Sequence, residues 1–200
     1  MIAVLDYGIG NLRSAQKALA KAGADARLVS DPADAAGAAG VVLPGVGAFG
    51  RCMEALRETG LDRVALTAIE AGTPFLGVCV GMQLLYASSE ESPGVAGLGV
   101  LDSTVVRLAA GVKHPQMQWN VLSPTRPDSA LLDGLGSAPW VYFVHSFAPE
   151  ITDDVVATCE YGGPVTAAVE RGALWATQFH PEKSGAVGAR VLANFAKACC

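Results

Sequence analysis

The sequence predicts an α/β fold: a single three-layer domain over residues 1–200, built on a mixed, mostly parallel sheet flanked by helices. Three observations carry this. Apolar runs and amphipathic stretches alternate through residues 1–89, as parallel strands joined by right-handed crossovers require. Beyond residue 100 the β-like runs are short and separated by turn residues, as antiparallel hairpins require. A chain of 200 residues that is 51% hydrophobic suits one full core, and no repeat or low-complexity linker divides it.

Each element has a local reason. "MIAVLD" is an apolar run ending at Asp6. In "NLRSAQKALAKAG", Asn11 is a candidate helix cap, Leu12, Ala15, Leu19 and Ala22 recur near helical spacing, and Gly23 stops the helix. "ARLVS" and "GVVLPG" read as the second and third strands. "RCMEALRETG" and "LDRVALTAIEAG" read as helices ended by Gly60 and Gly72. "PFLGVC" is the fourth strand, and "VGMQLLYASS" is expected to be the helix that follows it. In the second half, "TVVRL", "WVYFVHSF", "VVATCEY", "VTAAVE" and "LWATQF" read as strands of the same sheet. "YGGPV" and "ERGAL" are tight hairpin connections, "HPQMQWN" reads as a loop, and "SGAVGARVLANFAKA" closes the chain as a helix.

Composition excludes several function classes. A net charge of −5 without a basic stripe argues against nucleic acid as a partner. No apolar run reaches the roughly 18 residues that span a bilayer, and "MIAVLDYGIGN" has no basic n-region or cleavage site, so no membrane or secretory address is expected. The five cysteines, at 52, 79, 159, 199 and 200, form no C-x-x-C pair, and the three histidines lack zinc-ligand spacing. The expectation is a reduced cytoplasmic protein with no metal and no cofactor. Cys199 and Cys200 read as a solvated tail.

The chemistry concentrates in "FLGVCVGMQLLY", residues 75–86. A strand that ends at Val78, then Cys79, then a helix beginning at Val80, describes a nucleophile elbow. Gly77 and Gly81 leave room for the turn, and the helix N-terminus offers free N–H groups and a positive dipole end that favour thiolate over thiol. On these residues alone, a small buried core cysteine is the commoner reading. A nucleophile needs a base, and the base an orienting partner. His180 ends the run "LWATQF", Pro181 breaks the ladder, and Glu182 stands two residues on, placed to hold one ring nitrogen while the other faces Cys79. Both motifs sit at strand carboxyl ends, where sites form in open α/β sheets. "VVLPGVGAFG" supplies a third such end. Val46 or Gly47, with Val80, would donate N–H groups to an oxyanion, each worth about 2.7–4 kcal/mol of barrier. A plain Gly/Pro loop is the alternative there. The stretch lacks the Lys-Ser/Thr of a P-loop and fits no G-x-G-x-x-G register, so phosphate binding is discounted.

Together "GVCVGMQ" and a late "HPE" resemble the class I, triad-type glutamine amidotransferases, which carry G-x-C-x-G-x-Q and H-P-E in this order. The resemblance covers essentially the whole chain and implies a flavodoxin-like fold. It implies that Cys79 attacks the side-chain amide of L-glutamine, that His180 protonates the departing ammonia, and that water clears a glutamyl thioester. It also implies that Gly45, Gln83, Ser146 and Phe147 hold the glutamine.

Within the family, "DYGIGNLRS", "LPGVGAFG", "GMQLL", "YFVHSF" and "HPEKSG" are similar to the glutaminase subunits of imidazole glycerol phosphate synthase. That similarity implies a (β/α)8-barrel cyclase as heterodimeric partner, fed with ammonia through a tunnel. It also implies a partner-facing surface of Asn11, Met117, Trp119, Asn120 and Lys183. Gln116 and Gln118 depart from the subfamily's usual His and Gly. Phe147 replaces a common tyrosine. Two other readings stay open on the residues: another class I glutaminase subunit, and a partner-independent γ-glutamyl cysteine hydrolase on the same sheet.

Overall fold

The computed structural model describes all 200 residues, Met1 to Cys200. In chain order the elements are β1 (Ile2–Leu5), α1 (Leu12–Lys21), β2 (Ala26–Val29), β3 (Gly40–Gly45), α2 (Phe49–Glu58), α3 (Leu61–Glu70), β4 (Phe75–Cys79), α4 (Val80–Gln83), β5 (Tyr86–Ser89), β6 (Leu101–Arg107), β7 (Gln116–Val121), β8 (Ser123–Pro124), β9 (Trp140–His145), β10 (Phe147–Pro149), β11 (Val155–Glu160), β12 (Pro164–Arg171), β13 (Leu174–Thr177) and α5 (Gly185–Ala198). The eight-stranded central sheet runs β2-β1-β3-β4-β13-β12-β11-β8. The strands from β2 to β13 pair in parallel, and β12, β11 and β8 extend the sheet antiparallel. Strands β1, β3, β4 and β13 are buried at every residue, as parallel strands covered on both faces must be.

Helices flank the sheet: α1 packs on α5, and α2 on α3. Helix α1 turns Ala15 and Leu19 inward, and α5 turns Val191, Leu192 and Phe195 inward. One continuous cluster of 48 buried residues forms the core. Each large aliphatic or aromatic side chain in it contributes about 1.5–3 kcal/mol by leaving water.

Three expectations need correction. The helix after Cys79 ends at Gln83, and Tyr86–Ser89 is a strand, β5, paired in parallel with β6. The backbone there is committed elsewhere: the amides of Leu98, Val100 and Gly97 bond the carbonyls of Leu84, Leu85 and Ala87. Ser88 and Ser89 are also weak helix formers. The second-half strands do not all join one sheet. β10-β6-β5 form a separate three-stranded sheet, and β7-β9 a two-stranded one. Residues 116–121, expected as a loop, are strand β7, fully paired with β9 from Gln116↔His145 to Val121↔Trp140.

Candidate active site

Three neighbouring strand ends build the site. The register pairs Gly45 of β3 with Cys79 of β4, and Val78 of β4 with Thr177 of β13. The loop after β3, the elbow after β4 and the segment leading to His180 therefore leave the sheet side by side at its carboxyl edge, the position favoured for sites in open α/β sheets. Cys79 is the one non-glycine residue with positive φ, at 55°. Such a conformation costs of order 1–3 kcal/mol and persists where its surroundings enforce it. Gly81 leaves room for the tight elbow, because a Cβ at 81 would drive into the carbonyl of Leu43 on the adjacent strand.

His180 and Glu182 meet as the sequence predicts. His180 Nδ1 lies 2.9 Å from Glu182 Oε1, and the two side chains are 2% and 3% exposed. Pro181 opens a single 3-10 turn over 181–183. Two hydrogen bonds hold the turn: His180 N donates to the Tyr142 carbonyl at 3.0 Å, and the Ser184 hydroxyl Oγ donates to the His180 carbonyl at 2.6 Å. Burial opposes a charge on the imidazole, yet the Cys79 sulfur and the Glu182 carboxylate overcome it and raise its pKa to about 9. Burial likewise opposes ionisation of Glu182, and hydrogen bonding to His180 and Asn11 reverses that, so its pKa falls below the ordinary value. The ring's other nitrogen, Nε2, is buried and makes no hydrogen bond, to sulfur included.

Cys79 and His180 line one cavity of about 160 Å³ with Val46, Gly47, Val80, Gln83, Glu91, Val144, His145, Ser146 and Phe147. The expected oxyanion residues Val46, Gly47 and Val80 are all at its wall. Gly47 has φ +91°, a conformation that suits glycine, and the space where a Cβ would stand is open. Of the expected glutamine contacts, Gln83, Ser146 and Phe147 line the cavity, and Gly45 does not. A Cβ at Gly45 would come within 2.7 Å of Gly81 N and 2.9 Å of Tyr7 Oη, so this glycine lets β3 pass close to the elbow. Gln83 is oriented from within: its Nε2 donates to the Phe147 carbonyl and to Gln178 Oε1, both at 2.9 Å. A larger cavity, about 730 Å³, lies between residues 124–136 and α5. Its lining has no cysteine and no histidine, so the thiol–imidazole chemistry belongs to the smaller one.

Sequence reasoning missed four contributors. Gln178 is fully buried and donates from Nε2 to Cys79 Sγ at 3.7 Å. Its nearness to His180 in "QFHPE" was the available signal. Glu91 brings a carboxylate to the cavity wall while Oε2 accepts from Phe49 N at 2.8 Å. Tyr7 donates to the Pro44 carbonyl at 2.6 Å and props the end of β3. His145 is the fourth. The sequence also misjudged Asn11. It stands at the N-cap of α1 but makes no capping bond; its Nδ2 donates to Glu182 Oε1 at 3.2 Å instead.

The expected partner-facing residues divide. Met117 and Trp119 are 61% and 48% exposed, joined by Trp140 at 52%. The alternation of β7 and β9 puts all three on one face. Lys183 is exposed, with its ammonium 6.0 Å from the Tyr142 ring. Asn120 turns inward and donates to the Glu160 carbonyl at 2.9 Å, and Asn11 is half-buried against Glu182. Gln116, the departure from the subfamily's usual His, is buried and reaches Cys159 Sγ at 3.7 Å, while Gln118 is exposed.

Residues 3–199 match the family model "Glutamine amidotransferase class-I". This chain belongs to the class-I glutamine amidotransferases. It is 48% identical to imidazole glycerol phosphate synthase subunit HisH of Synechococcus sp. (strain JA-3-3Ab), over 97% of this chain and 92% of that one. It is 50% identical to the subunit of the same name from Methanothermobacter thermautotrophicus, over 98% of this chain and 97% of that one. Among solved structures, a glutamine amidotransferase crystal structure superposes with a TM-score of 0.77 at 24% identity, covering 98% of both chains; this shows the fold. The amidotransferase has no helix long and apolar enough to cross a membrane. No group of three or more His, Cys, Asp or Glu side chains is arranged to hold a metal ion.

Proposed function

We propose that this amidotransferase is the glutaminase subunit of an imidazole glycerol phosphate synthase, with residues 1–200 acting as one unit. It hydrolyses L-glutamine to glutamate and ammonia and passes the ammonia to a cyclase partner in histidine biosynthesis; its relatives carry the name imidazole glycerol phosphate synthase subunit HisH. The single observation that carries the chemistry is the shared cavity of Cys79 and His180, with Glu182 behind the imidazole.

In this reading Cys79 Sγ attacks the γ-carboxamide carbon, and the C=O electrons move to oxygen. N–H groups of Val46 or Gly47 and of Val80 meet that oxyanion. The imidazolium of His180 gives its proton to the leaving nitrogen, so NH3 departs and a glutamyl thioester remains. Neutral His180 then takes a proton from water as its oxygen attacks the thioester. The C–S bond breaks, glutamate leaves and the sulfur is restored. Glu182 holds the imidazole in place and stabilises its cationic form. Glu91 supplies a counter-charge for the substrate's α-ammonium, and Gln83, Ser146 and Phe147 shape the rest of the pocket.

The partner would be a (β/α)8-barrel cyclase seated on the apolar face of Met117, Trp119 and Trp140, with Lys183 at its margin, in a heterodimer located in the cytoplasm. The test is co-purification with the cyclase of the same organism, followed by an assay of glutamine-dependent ammonia release and of imidazole glycerol phosphate formation. Glutaminase turnover that supports cyclisation is expected. Free hydrolysis of varied γ-glutamyl amides without any partner would favour a stand-alone hydrolase.

A further inference from the structure

The cavity contains a second imidazole that the reaction above leaves without a task. His145 ends β9, is 6% exposed and lines the cavity with Cys79 and His180. Its Nδ1 lies 2.9 Å from the Phe147 carbonyl oxygen. A carbonyl only accepts, so Nδ1 carries the hydrogen and Nε2 presents a lone pair. Burial keeps the ring neutral, with its pKa lowered to about 4, and the His180 cation nearby opposes a second proton further. Nε2 is therefore an acceptor. It is fully buried, and no protein donor reaches it.

Buried acceptors in folded proteins are paired, and an orphan needs an explanation. Two of the side-chain donors around the cavity are already engaged. Gln83 Nε2 serves Phe147 and Gln178, and Gln178 Nε2 serves Cys79. A substrate seated in the cavity brings a donor of its own. Glutamine carries two kinds of N–H, its α-ammonium and its γ-carboxamide. Glu91 offers the α-ammonium a charged partner, whereas the γ-carboxamide is the group that reacts at Cys79, beside the two imidazoles.

We infer that His145 Nε2 accepts a hydrogen bond from the γ-carboxamide N–H of the substrate and so selects a primary amide over a carboxylate or an ester. Glutamate and γ-esters offer no hydrogen at that place, and a carboxylate oxygen would set lone pair against lone pair. The inference rests on the glutaminase reading and deepens it.

The test compares L-glutamine with the γ-methyl ester of L-glutamate in the complex with the cyclase. His145→Asn keeps a donor toward the Phe147 carbonyl and removes the distal acceptor. His145→Gln keeps an acceptor oxygen at the distal end. For His145→Asn, kcat/KM for glutamine should fall about tenfold or more relative to that for the ester, and His145→Gln should recover part of the ratio. Equal losses on both substrates, or none on glutamine, would overturn the inference, since a merely structural ring favours neither. A second measurement keeps the native ring. The 15N resonance of His145 Nε2 should move upfield when glutamine saturates a Cys79→Ala complex, and not when glutamate does. An unmoved resonance with glutamine bound would also overturn it. A native complex that releases no ammonia from glutamine would instead defeat the glutaminase reading itself.

Discussion

Asn11 and Glu182, 171 positions apart in the chain, share a hydrogen bond: Asn11 Nδ2 donates to Glu182 Oε1 at 3.2 Å. The same oxygen faces His180 Nδ1 at 2.9 Å. The start of α1 thus supports the carboxylate that supports the imidazole. Asn11→Ala removes one charge-assisted donor, worth about 1.5–3 kcal/mol. We expect kcat for glutamine hydrolysis to fall about tenfold to a hundredfold with KM nearly unchanged, as steady-state kinetics will read.

Glu182→Gln should cost more. An amide in place of the carboxylate removes the counter-charge of His180 and favours the wrong ring tautomer. Loss of the orienting carboxylate in a triad lowers kcat by up to about 10⁴-fold. We expect at least a hundredfold loss, while ammonia-driven cyclisation in the complex proceeds at the native rate.

The His180 pKa sets the sign of a pH effect. Folding raises it from 6.5 to about 9, so the folded state binds the proton more tightly. The stabilisation is full below about pH 6.5 and is lost as pH rises through about 9. Glu182 acts oppositely. Its pKa is lowered, so its contribution holds above the ordinary carboxylate range and is lost as pH falls through the lowered value. The melting-temperature difference between the native chain and His180→Gln should therefore shrink between pH 7 and pH 10. By NMR, His180 should titrate near 9 in the native chain and lower in Cys79→Ala, where the sulfur no longer stabilises the cation.

Gly81→Ala tests the elbow. The added methyl would enter the space of the Leu43 carbonyl, and neither backbone can yield without breaking the β3–β4 pairing. Overpacking of 1–3 kcal/mol is common, and this contact lies at or beyond the upper end. We expect a melting temperature lower by ten degrees or so, or no soluble protein.

Trp119→Ala tests the docking face. Trp119 is half exposed and stacks edge-on to Tyr142 at 6.2 Å. Buried tryptophans anchor interfaces at 2 kcal/mol or more, about thirtyfold in affinity. We expect at least that loss of cyclase affinity by calorimetry, with the melting temperature of the isolated chain nearly unchanged.

Much of this was legible in the sequence because it is local. The alternation of residues 1–79, the hairpins at "YGGPV" and "ERGAL" and the Cys79 elbow follow from periodicity and glycine placement. The His180–Glu182 pair follows from a two-residue spacing across a proline. What escaped depends on distant partners. β5 was hidden because "LLYASS" reads the same as a buried helix or strand until β6 arrives to pair with it. β7 does alternate, but its apolar residues 117 and 119 face outward, against the usual rule, and only β9 makes it a strand. Gln178, Glu91, Tyr7 and His145 are ordinary residues in isolation. Their roles come from a cavity that four separate segments close.

All of the proposed chemistry requires Cys79 to be the sulfur that attacks glutamine. Intact-mass and peptide-level mass spectrometry, after treatment with a glutamine-like diazoketone, reads this without intermediates. We predict one adduct per chain, on the peptide bearing Cys79, with loss of glutaminase activity in proportion to labelling and protection by glutamine. Full inactivation with the label on Cys52, Cys159, Cys199 or Cys200, or undiminished ammonia release from Cys79→Ala, would contradict it.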